Sequence, residues 1–414
     1  VNGYQERTNC SACDSTDFQT ILDLGVVPLA GYFPNPLELD KESKYPLKLV
    51  VCKKCKLVQT DSMINPKLLF EDYRYLSSIG LSKHFENVAS MLNDKYDIKD
   101  KDILEIGCND GVLLKPLSDL GANAVGIDPA KNVVKIAKDK GLKVHNGYFS
   151  YEDLEYYHDI FENRFDLVLS NNTFAHIIDI RDIVKGVNHV LKPTGDFIFE
   201  VHYLKSLIEG NQWDNIYHEH IYYYSITALN NMFKSYGMTI TDFEEIPIHS
   251  GSIRVTVRNS KLDLPKKIID RIELESDTIC NLDYLGQYSE DVKKHISDFN
   301  KTLNELQVEN VGGYGASGRA NMFCNVTGLT EDNIDFIVDE SPERCGRYIA
   351  NTEIPIVDVD TLKSSDVDLL IIFAWNYSKM IIEKTQFRKF KYLVAFPKVQ
   401  LVDSYEELEG FDSI

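Results

Sequence analysis

Between Trp213 and Ser225 the chain reads Trp-Asp-Asn-Ile-Tyr-His-Glu-His-Ile-Tyr-Tyr-Tyr-Ser, which gathers two histidines, a carboxylate between them and four tyrosines. A neutral histidine, with an ordinary pKa of ~6.5, is a competent general base near pH 7. A neighbouring carboxylate or phenol can orient it or stabilise a developing oxyanion. The same residues also suit a buried, hydrogen-bonded polar strand. A third reading is a His-x-His metal pair, since alternate residues of a strand share a face. The segment alone leaves all three open; a cofactor domain preceding it would favour the base.

A second constellation is Cys10-Ser11-Ala12-Cys13 with Cys52-Lys53-Lys54-Cys55. Two residues between cysteines let one tight turn supply two thiolates, and two such turns supply the four that tetrahedral zinc requires. Disulfides are disfavoured in a cytoplasmic protein, and a redox pair would not need a second knuckle. With cysteine at all four positions, no place is left for a catalytic water. The expected role is structural: zinc holding a domain too small to hold itself.

The third is Asp102-Ile103-Leu104-Glu105-Ile106-Gly107-Cys108-Asn109-Asp110-Gly111, an apolar strand entering a glycine turn and then a helix. Gly107, Asn109 and Gly111 lie at the sheet's carboxyl edge, where open α/β sheets bind ligands. Asp128, which closes the next strand, can accept both hydroxyls of a ribose. A dinucleotide would require glycine where Asn109 stands, and Asp110 would repel its diphosphate. A sulfonium cofactor without phosphate meets neither obstacle. The stretches Phe165–Asn172 and Leu191–Gly195 then follow in the order expected of a class I methyltransferase, favoured over a dehydrogenase.

The elements that must position these groups fall into three regions. Residues 1–72 carry the four knuckle cysteines and little long periodicity. Residues 73–262 alternate short apolar runs with amphipathic stretches, which reads as α/β with a parallel sheet. Strands are expected at Asp102–Ile106, Ala124–Ile127, Phe165–Ser170, Phe197–Val201 and Ser252–Arg258. Residues 263–414 begin with a charged connecting helix over 266–308. A second, Rossmann-like α/β block follows, with strands near Asn310–Tyr314, Ile334–Val338, Leu369–Phe373 and Tyr392–Ala395.

Composition bounds the reading. At 414 residues, with 43% hydrophobic and 11% aromatic residues, the chain can build two or three cores. It has 44 Lys plus Arg against 64 Asp plus Glu, a net charge of −20. No basic face is available for a nucleic acid, although a few local donors can still hold a diphosphate. No run of eighteen uncharged apolar residues is present, so no membrane partner is expected. The first residues lack an apolar signal core. A soluble cytoplasmic enzyme, favoured as a monomer, is the expectation.

Assembled, these motifs resemble the C-methyltransferases of nucleotide-linked 4-keto-deoxysugars. The resemblance runs nearly the whole length. It includes Cys55-Lys56-Leu57-Val58-Gln59, Tyr73-Arg74-Tyr75-Leu76-Ser77-Ser78, the glycine loop, Asn172-Thr173-Phe174-Ala175-His176-Ile177 and Tyr217–His220. It continues through Gly251-Ser252-Ile253-Arg254-Val255 and Glu343-Arg344-Cys345-Gly346-Arg347-Tyr348. It implies a zinc-binding domain, an S-adenosylmethionine domain and a C-terminal domain packed around the sugar nucleotide. By that likeness His220 is the base, lined by Tyr217, Glu219, His176 and a tyrosine of the 73–75 stretch, Tyr75 being preferred to Tyr73. Asn172 and Tyr75 join the cofactor site, and Lys205, Arg319 and Arg347 the substrate site. The sequence departs from the family in two places. Gly315–Ala320 lacks the early basic residue of many members, leaving Arg319 as its substitute, and Cys108 replaces a common serine. The implied reaction is methylation of a sugar carbon, C3 of a 4-keto sugar. O- or N-methylation of a sugar nucleotide and non-catalytic binding are the alternatives.

Overall fold

The computed structural model describes residues 3–39, 42–65, 68, 69, 78–154 and 165–410. Near the N-terminus β1 (Tyr4–Glu6) pairs antiparallel with β5 (Ser62–Ile64). The strands β2 (Phe18–Pro28), β3 (Lys44–Cys52) and β4 (Val58–Thr60) form an antiparallel sheet. In β3, Leu47, Leu49 and Val51 are fully buried on alternate positions, the period of a strand with one core face. The fourth strand of this sheet comes from far along the chain: β11 (Tyr222–Tyr223) pairs with β4, giving the order β11-β4-β3-β2.

The middle region begins with α1 (Ser78–Tyr96). It continues as β6 (Asp102–Ile106), α2 (Leu114–Asp119), β7 (Asn123–Asp128), α3 (Lys131–Asp139), β8 (Val144–Asn146) and β9 (Phe165–Asn171). Then come α4 (Ile180–Val190), β10 (Leu191–His202), α5 (Leu204–Glu209), α6 (Ile226–Lys234), β12 (Thr239–Ile246) and β13 (Ser252–Arg258). The sheet order is β12-β13-β10-β9-β6-β7-β8, with β6 to β10 parallel and β13 antiparallel to both its neighbours. This is the doubly wound sheet of class I methyltransferases. Chain order reverses between β6 and β9, so their carboxyl ends open the crevice where such sheets bind ligands. Here β10 starts at Leu191 and takes in Leu191–Gly195, with a register shift between Leu191 and Asp196.

The expected single helix over 266–308 is two, α7 (Lys266–Asp277) and α8 (Leu282–Glu305). Glu275 explains the break. Its carboxylate is 1% exposed and accepts hydrogen bonds from the Tyr203 hydroxyl (2.6 Å), the Ile226 and Thr227 amides (3.0 and 2.7 Å) and the Thr227 hydroxyl (2.6 Å). An anion docked on the first turn of α6 meets unsatisfied N–H groups and the positive end of the helix dipole. Past this anchor the chain turns, and Asn281 caps α8 by accepting from the Asp283 and Tyr284 amides.

The last sheet comprises β14 (Val311–Tyr314), β15 (Phe336–Asp339), β16 (Ile356–Asp358), β17 (Leu369–Ile372), β18 (Lys391–Val394) and β19 (Gln400–Val402). The helices α9 (Gly318–Thr327), α10 (Thr361–Ser364) and α11 (Ser378–Thr385) accompany it. Its order, β16-β15-β14-β17-β18-β19, is parallel except for β19, a Rossmann-like arrangement. Among the described residues no helix is long and apolar enough to cross a membrane.

Candidate active site and metal centre

The two knuckles share one backbone design. In each, the residue after the second cysteine has a left-handed φ (Asp14, 62°; Lys56, 66°) and returns its amide to the carbonyl of the first cysteine at 2.9 Å. Both turns thus aim their thiols the same way. The Sγ atoms of Cys10, Cys13, Cys52 and Cys55 all lie within 4.8 Å of one another, with Cys10–Cys55 at 3.5 Å and Cys13–Cys52 at 3.6 Å. Bonds of ~2.3 Å to a central zinc give tetrahedral edges of about 3.8 Å, whereas a disulfide requires ~2.05 Å. The donor set fits one zinc ion. It is the one group of three or more such ligands found among the described residues.

At the sheet switch point, Gly107 has φ 73°, and a Cβ there would fall 2.2 Å from Thr173 Oγ1. Asn109 has φ 49° and Gly111 φ 79°. Asp128 fixes this turn: one carboxylate oxygen accepts from the Asn109 amide and the other from the Ala130 amide, both at 2.9 Å. Burial raises the Asp128 pKa. Glu105 is also buried, and burial followed by the Asp128 charge holds its pKa well above the usual range. Asp110 Oδ1 and Ser170 Oγ are buried without hydrogen-bond partners. An acidic cluster beside unused polar atoms suits a ligand carrying an ammonium and a sulfonium, whose charge would favour the ionised carboxylates, and is unfavourable to a diphosphate. The cradle fits S-adenosylmethionine. Asn172 stands next to it, with φ 53° and its amide bonded to the Glu200 carbonyl at 2.8 Å. Tyr75 lies outside the described residues.

The histidine segment is not a strand. A 3₁₀ turn at Trp213–Asn215 leads into irregular chain, and pairing begins only at Tyr222. His218 and His220 therefore part company. His218 points into the N-terminal region, where its Nε2 is 3.1 Å from the Pro46 carbonyl. His220 stays half-buried, like Tyr217 and Glu219. Its Nδ1 is 3.0 Å from the Asn215 carbonyl, and its Nε2 is 2.8 Å from the Tyr217 hydroxyl. A carbonyl can only accept, so Nδ1 carries the hydrogen. The Nε2 lone pair then faces Tyr217, whose O–H donates to it. The rings of His176 and His220 are 5.0 Å apart, and His176 Nδ1 is 2.7 Å from the Glu219 carbonyl.

Burial, then the charge of His176, holds the His220 pKa well below the ordinary histidine value. His202 and His249 add to the same field, themselves lowered by burial to about 3 and about 4. His220 is thus neutral at pH 7 and carries a usable lone pair. Burial raises Glu219, against the amides of Gly31, Glu219 itself and Ala30. The Gly31 N–H donates to Glu219 Oε1 at 3.0 Å, while Oε2 is buried and unpartnered.

Of the three expected substrate cations, none stands free. Lys205 pairs with Glu209 (3.3 Å) and Glu245 (3.5 Å). Arg347 donates to the Phe33 carbonyl (2.9 Å) and the Glu343 carbonyl (3.0 Å), tying the N-terminal loop to the C-terminal domain. Arg319 is held by Asp214 at 2.9 and 3.1 Å. Sequence reasoning missed His202, His249 and Gly31. The His202–Tyr203–Leu204 run at the carboxyl end of β10 marks the first by position; the other two carry no local signal.

Comparison with known proteins agrees with this layout. Three family profiles match in succession: "Putative zinc binding domain" over residues 10–70, "Methyltransferase domain" over 81–242, and "C-methyltransferase C-terminal domain" over 247–397. The C-methyltransferase NovU of Streptomyces niveus is 28% identical over 96% of this chain and 98% of its own length. A ubiquinone biosynthesis O-methyltransferase of Bradyrhizobium diazoefficiens is 34% identical, over 22% of this chain and 36% of its own. The solved magnesium protoporphyrin IX methyltransferase of Synechocystis with bound SAM covers 44% of this chain and 80% of its own, at 13% identity and TM-score 0.34. By its three matched parts in their order, the chain is similar over nearly its whole length to S-adenosylmethionine-dependent C-methyltransferases that join a zinc-binding domain to a methyltransferase core and a C-methyltransferase C-terminal domain.

Proposed function

We propose that this C-methyltransferase acts on a nucleotide-linked keto-deoxysugar, at the carbon next to the keto group, C3 of a 4-keto sugar. The observation that carries the reading is the Nε2 lone pair of a neutral His220, turned to the Tyr217 hydroxyl. A keto group acidifies the adjacent C–H bond, and the site offers the two groups that enolisation requires. His220 Nε2 takes the proton and becomes imidazolium. The Tyr217 O–H moves its hydrogen bond from Nε2 to the keto oxygen, which carries the enolate charge. His176 lies beside the pair, and burial, reinforced by His176, keeps His220 a base that releases its proton readily. Gly107, Asn109, Gly111, Asp128 and Asn172 hold the donor; when bound, it supplies a methyl carbon whose bond to sulfur breaks as the new carbon–carbon bond forms. The rest of the rate comes from positioning two substrates in line.

The test is exchange. Protein, a nucleotide 4-keto-deoxysugar and S-adenosylhomocysteine are incubated in deuterated water and the α-proton is followed by NMR. The parent should exchange it, and His220→Asn should not while still binding both ligands. No exchange by the parent, with the methyl of turned-over product found on oxygen or nitrogen, overturns the reading in favour of O- or N-methylation.

A further inference from the structure

The segment that carries His220 is gripped by the C-terminal domain at Trp213 and Asp214. The indole of Trp213 donates to His295 Nδ1 at 3.0 Å and stacks on Phe323 with centroids 5.1 Å apart. Asp214 is 1% exposed and receives three N–H groups. Arg319 Nε and Trp375 Nε1 reach Oδ2 at 2.9 and 3.0 Å, and Arg319 Nη2 reaches Oδ1 at 3.1 Å. The guanidinium also lies 4.5 Å above the Trp375 ring. A bidentate Arg–carboxylate pair, stacked and nearly dry, fixes direction as well as distance.

The next residue is Asn215, whose carbonyl accepts from both His220 Nδ1 and the Tyr223 hydroxyl (3.2 Å). The direction of that carbonyl decides which ring nitrogen of His220 carries hydrogen. We propose that Asp214, Arg319 and Trp375 form a positioning clamp, by which the C-terminal domain sets the orientation and tautomer of His220. Arg319 then acts through Asp214. Two of its nitrogens and its charge are committed, which leaves it poorly placed to hold a diphosphate. The catalytic consequence rests on the reading of His220 as base; the clamp itself does not.

The test therefore begins without substrate. Long-range ¹H–¹⁵N spectra of histidine-labelled protein give the tautomer of His220, assigned by the signal missing from His220→Gln. The parent should show hydrogen on Nδ1. Trp375→Phe removes one donor with little change of shape, and Arg319→Lys keeps the charge without the fork. Both should drive His220 towards mixed tautomers, with zinc content unchanged. Both should leave the affinity for UDP and thymidine diphosphate, by calorimetry, within twofold. In turnover, kcat should fall tenfold or more with KM for the sugar nucleotide nearly constant. Unchanged His220 signals in both variants would overturn the clamp. So would a tenfold loss of nucleoside diphosphate affinity in Arg319→Lys with the tautomer intact, which makes Arg319 a substrate contact. A tautomer shift in a protein that shows no α-proton exchange would support the clamp while the sugar reading fails.

Discussion

Tyr217 and His220 face each other with ring centroids 3.9 Å apart and share a hydrogen bond of 2.8 Å. Because the Asn215 carbonyl takes the Nδ1 hydrogen, the phenol is the donor in that bond. On the proposed mechanism the base is capped at rest by the group that later steadies the oxyanion, and one movement of the phenol serves both needs.

Removing that phenol should separate the two roles. Tyr217→Phe leaves the Nε2 lone pair of His220 free but strips the keto oxygen of its donor. Loss of one oxyanion donor costs about 10²–10³ in kcat, so turnover and α-proton exchange should fall together by that factor. Binding of S-adenosylhomocysteine should be unaffected. A variant that exchanges at the parent rate would remove Tyr217 from the mechanism.

The knuckles should hold about one zinc per chain by metal analysis, through Cys10, Cys13, Cys52 and Cys55. Cys52→Ser breaks the tetrahedron, and the bound metal's contribution to folding goes with it. The melting temperature should drop by roughly 5–10 °C, a loss of about 2–3 kcal/mol. Zinc-free protein with parent stability would contradict this.

Asp128→Ala should weaken S-adenosylhomocysteine binding by about 10–100-fold, since hydrogen bonds to a charged group contribute ~1.5–3 kcal/mol. Part of the loss is indirect, because Asp128 also holds the Asn109 and Ala130 amides. Asp128→Asn keeps an acceptor for at least one amide and should fall between the two. Calorimetry at fixed ionic strength reads both.

His218 gives the fold a pH dependence of predictable sign. Burial lowers its pKa to about 4, against ~6.5 in the unfolded chain. Between those values the unfolded state binds the extra proton, so stability rises with pH there and is complete above about pH 6.5. Falling from pH 6.5 to 5 should cost about 2 kcal/mol from this residue alone. The raised Glu219 opposes that slope in the native protein. The difference between parent and His218→Gln denaturation curves isolates the histidine; identical pH slopes would show that His218 contributes nothing.

How much of this was legible depended on how local each cause is. Asp102–Ile106 and Ser252–Arg258 are strands with the bounds expected of them: the first is mostly apolar and buried, while the second alternates Ile253, Val255 and Val257 with polar residues, the period of a strand. The Cys-x-x-Cys pairs and the glycine turn are equally local. By contrast, β8 has three residues and β11 two, too few for a period to show. The division of 266–308 depends on Glu275 meeting residues 226 and 227. The separation of His218 from His220 likewise needed the segment to be irregular, and the hold of Gly31 on Glu219 spans 188 positions.

The pairing of β11 with β4 also sets a schedule. Tyr222 emerges from the ribosome 164 residues after Val58, which at ~5–20 residues per second is a wait of roughly 8–30 s. For that interval the newborn knuckle sheet presents β4 as an open edge, a template for pairing with another chain. Metal captured early cannot close that edge; only the arrival of Tyr222 and Tyr223 does. A nascent chain stalled before residue 222 would carry two complete knuckles beside an unsealed strand, the form in which this protein is most exposed to aggregation.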